Sequence, residues 1–402
     1  MSAPRILFLA DEFLHPKNRG GRVETANEVE LISEVLGFPL HLLVPRDPWT
    51  TPDDEAAHRR ALAVPTTFFD RPPRRRATIT RPLLPYIAAT RWPVAAETNA
   101  VVATITAQGP IDVILAAHDF MWPFARVLAS RLGDVPVVIR SHNDEPRYFA
   151  GMRAASPTRA LQAFYIRETI LSKRLRSLVG RNADRIAVLA LDDAAGYRSP
   201  HTELVPPLVY DGSLTQDPPR PSVEGRDQLL FVGALDATLS LEGIQWFRRY
   251  VLPDLARQRP GTRLRIVGRG ASESVAAELR SDPLVEYVGP VADLDPEFAA
   301  ARVFVNPVLN GSGVNMKMGG PARRGIPIVT NELGARGFDA LRPGLSLADD
   351  AGSFARACKQ LLDDDDTWES KATALWAAFS DHYSVAAAAT AFDGLLRGVA
   401  QR

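Results

Sequence analysis

Cysteine is almost missing. A single thiol, Cys358, stands in 402 residues, so no disulfide can form within the chain, and a reducing compartment is expected. Long apolar runs are missing too. None reaches the roughly 18 residues that a membrane-spanning helix needs. Ile6-Leu7-Phe8-Leu9-Ala10 is too short for the core of a signal peptide. Charge of one sign is also lacking. Forty-seven Lys and Arg balance 47 Asp and Glu, which leaves no net field to gather nucleic acid. The loop after the first strand lacks the G-x-G-x-x-G dinucleotide fingerprint, and no His, Cys and carboxylate set stands at metal-ligand spacing. These absences predict a cytoplasmic protein with no metal and no resident cofactor.

What is present is the composition of a soluble globular protein, 46% hydrophobic and 23% charged, and long enough for two domains. Continuous apolar runs mark strands buried on both faces at Arg5 to Ala10, Leu40 to Val44, Ile111 to Ala116, Val135 to Ile139 and Asp184 to Leu191, with a short one from Glu203 to Pro206. After the first strand come a loop with Gly20 and Gly21 and a helix marked by Val23, Ala26, Val29, Ile32 and Leu36. A long helix is predicted over 157–181. Leu161, Phe164, Ile170, Leu171, Leu175 and Leu178 lie on its apolar face, and Arg159, Arg167, Lys173, Arg174, Arg176 and Arg181 on the other, which is either solvated or a second surface for a membrane or an anionic partner. Proline and glycine crowd the stretch from Pro206 to Arg226, a linker over 208–226. A second series then begins at Leu229. It includes a helix from about Leu241 to Gln258 and strands at Leu264 to Gly268, Val285 to Gly289 and Val303 to Asn306. Strand and helix alternating twice over predict an α/β chain of two Rossmann-like domains, 1–207 and 227–383.

Polar groups gather where such sheets place ligands, just past the C-terminal ends of strands. His118 and Asp119 follow one strand, and Arg140, His142, Asn143 and Glu145 follow its neighbour. In the second half, Gly311-Ser312-Gly313-Val314-Asn315 follows a strand, and a helix is predicted from Val314 with Asn315 and Lys317 in its first turn. Glycines let the backbone approach a ligand, and a helix start beside a lysine suits a phosphate. By spacing alone the stretch reads either as an anion site or as an ordinary strand-to-helix connection.

This stretch resembles the donor-binding segment of retaining glycosyltransferases of the GT-B type, family 4. Gly311, Gly313, Asn315, Lys317, Ala322, Gly325, Pro327, Val329, Thr330, Gly334, Ala335, Arg336 and Gly337 fall in its register. The runs R-S-H-N-x-E-x-x-Y (Arg140 to Tyr148) and F-V-G-A-L-D-x-x-x-S-L-E-G-I-x-W-F (Phe231 to Phe247) resemble the capsule and exopolysaccharide members of that group. The resemblance implies two domains facing across a cleft, with the last helix, 384–402, packing back on the first. It implies transfer of a hexosyl-type unit from a nucleotide-diphosphate sugar to a carbohydrate or glycoconjugate. Gly20, Gly21, Gly233, Arg269, Gly311, Ser312, Gly313, Val314, Asn315, Lys317 and Arg336 would bind the donor. His118, Asp119, Arg140, Asn143 and Glu145 would face the acceptor, with His118, His142 and Lys317 closest to the chemistry.

The chain departs from the family in one respect. The two glutamates that contact donor sugar and ribose are replaced by Ser312 and Gly320. Two other readings therefore stay open: a scaffold that has lost catalysis, or an epimerase or hydrolase on the same fold using Asp119, Asp144 and Glu145. The basic, proline-rich loop from Asp70 to Arg76 is either solvated or a contact for anionic lipid. In the second case Arg74, Arg75, Arg76, Arg91 and Trp92 would touch the inner membrane face.

Overall fold

Apolar runs that no polar residue interrupts become strands with both faces covered. The structure is a computed structural model, and residues 3–17, 20–154, 156–210, 220–311 and 313–401 are described. Ser312 and residues 211–219 of the expected linker lie outside them. The chain divides into two units, Met1–Leu208 with Ala388–Arg402, and Val209–Ala387.

In the first unit the described strands are β1 (Ile6–Leu9), β2 (Leu40–Arg46), β3 (Thr66–Asp70), β4 (Val113–Ala117), β5 (Val137–Ser141), β6 (Arg185–Val188) and β7 (Thr202–Leu204). They form one sheet in the order β3-β2-β1-β4-β5-β6-β7. All neighbours are parallel, Ile6 standing beside both Leu40 and Val113. The order reverses between β1 and β4, where open α/β sheets leave a crevice at the strand ends. Phe69, Phe124, Leu128, Ile139, Leu175 and Val179 pack into a core against this sheet. The final helix, Val385–Ala400, contributes Arg397, which lies 4.8 Å over Phe38, and Phe392, 5.4 Å from the Arg140 guanidinium.

The second unit repeats the plan with β8 (Gln228–Val232), β9 (Leu264–Val267), β10 (Val285–Gly289), β11 (Ala301–Asn306), β12 (Ile328–Thr330) and β13 (Leu345–Leu347). Their order is β10-β9-β8-β11-β12-β13, again all parallel. The reversal falls between β8 and β11, so Gly233, just past β8, and Asn306, the last residue of β11, lie at that point. Phe231, Phe247, Leu252, Phe354 and Cys358 belong to its core.

Several local readings need correction. Gly20 and Gly21 do not form a loop; they open the helix Gly20–Glu30. Arg74, Arg75 and Arg76 belong to a helix, Arg74–Thr80, that follows Pro73. The expected helix near Leu241 runs as Thr238–Trp246, a π turn at Phe247–Val251, and Leu252–Gln258. Pro253 has no N–H and its ring clashes with the preceding turn, which the wider π turn relieves. No helix starts at Val314. Met316–Met318 is a 3-10 turn and the helix is only Gly319–Arg323, because two glycines and a proline are poor helix formers. The long helix runs Arg159–Asn182, N-capped by Thr158. Leu171, Leu175 and Val179 face the core, whereas Leu161, Phe164, Ile170 and Leu178 are exposed. Arg176, read as solvated, is buried.

Candidate functional site

The first unit concentrates buried polar groups at the ends of β1, β4 and β5. Arg140 is the last residue but one of β5 and has no exposure. Its Nε lies 2.5 Å from Glu28 Oε1 and its Nη2 2.8 Å from Glu24 Oε1, both glutamates belonging to the helix Gly20–Glu30. Nη1 donates to the Val205 carbonyl and Nη2 to that of Pro206. Glu24 Oε2 accepts from the Leu208 amide at 2.7 Å, and Asn27 donates back to the Leu208 carbonyl at 2.8 Å. Arg140 is therefore not an acceptor-side group, because its donors are spent inside the unit. Two carboxylates against one guanidinium leave this cluster one negative charge in excess. Burial raises Glu24 to about 7 despite the pull of Arg140, and burial raises Glu28 as well.

His142 follows on β5. Its Nε2 lies 3.4 Å from Glu28 Oε1 and its ring meets that of His118 edge to face at 4.5 Å. Burial lowers both imidazoles to about 4, each therefore neutral at neutral pH. His118 is stacked at 4.6 Å on Phe120. Beside it, the Asp119 carboxylate receives the Tyr197 hydroxyl, which lies 2.6 Å from Ser141 Oγ. The Arg176 guanidinium stands 3.6 Å from Asp119, 3.2 Å from Asp144 and 4.9 Å over the Tyr197 ring. A Cβ at residue 196 would fall 2.6 Å from Arg176 Nη1, so glycine there lets the guanidinium in. Asn143 donates to Glu145 at 3.3 Å, and burial raises Glu145 to about 7. His118, Asp119, His142, Asn143 and Glu145 thus gather past the C-terminal ends of β4 and β5. Glu24, Glu28 and His142 could present ligand atoms within 4.8 Å of one another. The Arg140 guanidinium already holds an oxygen of each glutamate and supplies the charge a cation would bring.

In the second unit Lys317 is the central group. The 3-10 turn carries it to the end of β8, where Nζ donates to Ser240 Oγ at 3.0 Å and lies 4.9 Å over the Phe231 ring. Among the described residues no carboxylate pairs with it, and burial lowers it to about 8. Ser240 sits in the first turn of the helix Thr238–Trp246, whose N-cap residue, Ala237, supplies no capping side chain. Free N–H groups and an ammonium therefore share one corner. Gly233 borders it, a Cβ there falling 3.0 Å from the Phe231 ring and 3.6 Å from Lys317 Nζ.

Asn315 donates to Asn306 at 3.1 Å, and Asn306 to Thr330 at 3.2 Å, a polar chain across the ends of β11 and β12. Val314 packs on Gly337. Gly311 takes a φ of 139°, open to glycine, in the loop that leads to Gly313. Arg336 is buried after the short helix Glu332–Ala335. Arg269 is half-exposed and pairs with Asp236 at 3.4 Å. Sequence reasoning missed Glu24, Glu28, Arg176, Tyr197 and Ser240. The spacing of Glu24 and Glu28, one turn apart on a helix with a core-facing stripe, was the available signal for the first two.

Residues 226–364 match the family model for glycosyl transferases group 1. The chain carries a group 1 glycosyltransferase domain. Over its whole length it has the GT-B fold. It superposes on HepE from Anabaena in complex with UDP with a TM-score of 0.65 at 14% identity, covering 98% of this chain and 100% of that one. An S. aureus TarM structure with fondaparinux, alpha-GlcNAc-glycerol and UDP gives 0.66 at 8% identity, covering 98% and 99%. An uncharacterized 44.6 kDa protein in the cps region of Klebsiella pneumoniae is 22% identical over 349 residues, 83% of this glycosyltransferase and 84% of the relative. Among the described residues no helix is long and apolar enough to cross a membrane.

Proposed function

We propose that this glycosyltransferase moves a sugar from a nucleoside-diphosphate sugar to a hydroxyl of a carbohydrate or glycoconjugate, with retention at the anomeric carbon, in the assembly of a polysaccharide. The observation that carries the donor half is Lys317, a half-buried ammonium with no carboxylate partner among the described residues, beside an uncapped helix start. Such a corner is stabilised by a diphosphate. HepE, of like fold, has been crystallised with UDP-glucose. The bond from the anomeric carbon to the diphosphate oxygen breaks with its electron pair. The acceptor oxygen bonds the same face, and its proton passes to the departing phosphate. Lys317 and the amides of Thr238–Trp246 stabilise the negative charge that develops. His118, His142 and Asn143 supply neutral hydrogen-bonding groups for the acceptor, and Glu145 adds a carboxyl that burial raises to about 7. Without acids at 312 and 320, Asn315 and the backbone around Gly313 take over part of the donor recognition.

Calorimetric titration of UDP, GDP and dTDP, and of their common sugars, tests this. One nucleotide should bind to the wild type, and Lys317→Ala should weaken it at least 10-fold. If none binds at millimolar concentration, the donor reading fails and the chain is a scaffold of this fold.

A further inference from the structure

His118 has a backbone that its side chain does not favour. It sits at φ 67° and ψ 150°, a region that is nearly reserved for glycine and strained for other residues. Such a conformation persists only where its surroundings fix it from several sides. Here they do. The His118 amide donates to the Arg140 carbonyl at 2.7 Å, and its own carbonyl accepts from Met121 at 3.1 Å. Arg140 is in turn held by Glu24 and Glu28. The next residue, Asp119, is 4% exposed and tied by Tyr197 and Arg176. Tyr197 is 3% exposed and comes from a turn 78 positions along the chain. Its neighbours Asp119, Phe120, Arg140 and His142 are buried, yet His118 is only half-buried, at the point where the strand order reverses. In the usual β conformation the side chain would leave the strand end in another direction. The strain therefore has one visible product, the aim of this ring between Phe120 and His142.

We propose that Asp119 and Tyr197 are positioning residues that hold His118 in this strained conformer, so that its imidazole accepts a hydrogen bond from the acceptor hydroxyl. This rests on the transferase reading above. His118 orients the hydroxyl oxygen, and the proton still leaves to the diphosphate, so no further base or co-reactant is required. A neutral ring suits the task, since an imidazolium could not accept. The buried carboxylate of Asp119 fixes the peptide that follows His118 and touches no reacting atom.

The strain is tested without any substrate, by thermal unfolding of His118→Gly and His118→Ala. Alanine ordinarily exceeds glycine in stability through its smaller backbone entropy. Here glycine should melt a few degrees above alanine. The ordinary order would overturn the strain. The positioning role is tested in Tyr197→Phe and Asp119→Asn by release of UDP from UDP-glucose, or of the nucleotide from whichever screened donor binds, with mixed mono- and disaccharides as acceptors. The turnover number should fall at least 10-fold while the KM for the donor and the calorimetric Kd of the nucleotide stay within about twofold. Unchanged turnover, or a loss explained by weaker donor binding, overturns it. A wild type that releases no nucleotide from any donor overturns the transferase reading and the positioning role with it, while the order of glycine and alanine still decides the strain.

Discussion

The Arg140 guanidinium and the Glu28 carboxylate meet at 2.5 Å with neither side chain in contact with solvent. Their partners lie far apart in sequence and hold the helix Gly20–Glu30, β5 and the segment before Val209 together. Breaking a buried pair by removing one partner costs about 3–5 kcal/mol, because a charge is left without compensation. Arg140→Met should therefore lower the urea midpoint of the first unit by that equivalent, with nucleotide binding at Lys317 retained in the folded fraction. A variant with normal stability but no transfer would restore Arg140 to the acceptor.

The same cluster predicts a pH dependence. Glu24 is raised from 4.5 to about 7, so between these values the folded state holds more protons than the unfolded chain. Stability from this group is complete below pH 4.5 and is lost as pH rises through about 7. Glu24→Gln imitates the protonated form and removes the excess negative charge. Chemical denaturation at pH 5 and pH 8 should show the wild type losing up to about 3 kcal/mol relative to this variant. Parallel pH profiles would show that Glu24 stays ionised beside Arg140.

Strands buried on both faces could be read directly from sequence, since Ile6–Leu9 and Val113–Ala117 are apolar throughout. The strand β3 was not readable, because Thr66, Thr67 and Asp70 flank only two phenylalanines, nor was β13, with three residues. The place of His118, Asp119 and His142 followed from the strands, as residues just past parallel strand ends. Glu28 and Tyr197 were hidden for a different reason. A charge on a helix looks solvated until its partner is known, and the partner of Glu28 lies 112 residues away. Arg176 was misread in the same way, its ring and carboxylate partners coming from other elements.

Gly243 should reverse an ordinary rule. Within a helix, glycine is about 1 kcal/mol worse than alanine. A Cβ at 243 would fall 2.1 Å from the Pro307 carbonyl oxygen, a backbone atom at the end of β11. Gly243→Ala must therefore push the helix Thr238–Trp246 away from that strand end and carry Ser240 with it. The expected results are a destabilisation of about 1–3 kcal/mol and weaker nucleotide binding. An alanine variant as stable as the wild type would mean that the helix can shift without strain.

Membrane contact is expected of a smaller set of residues than the sequence suggested. Arg74, Arg75 and Arg76 are exposed on the helix Arg74–Thr80. Ile79 and Leu83, close by in the chain, are 67% and 66% exposed. Arg91 lies 5.6 Å over Phe120, and Trp92 packs on the core beneath Arg81 at 4.5 Å. Each basic residue near an anionic surface adds about 1 kcal/mol, so replacing all three exposed arginines by glutamine should weaken binding to phosphatidylserine-containing vesicles roughly 100-fold. Half-molar salt should do the same, and Arg91→Gln should change binding little. Co-sedimentation would decide the matter. Wild-type protein that stays in the supernatant, or pellets equally with and without the three arginines, would leave this surface to solvent, and the exposed isoleucine and leucine would need another partner.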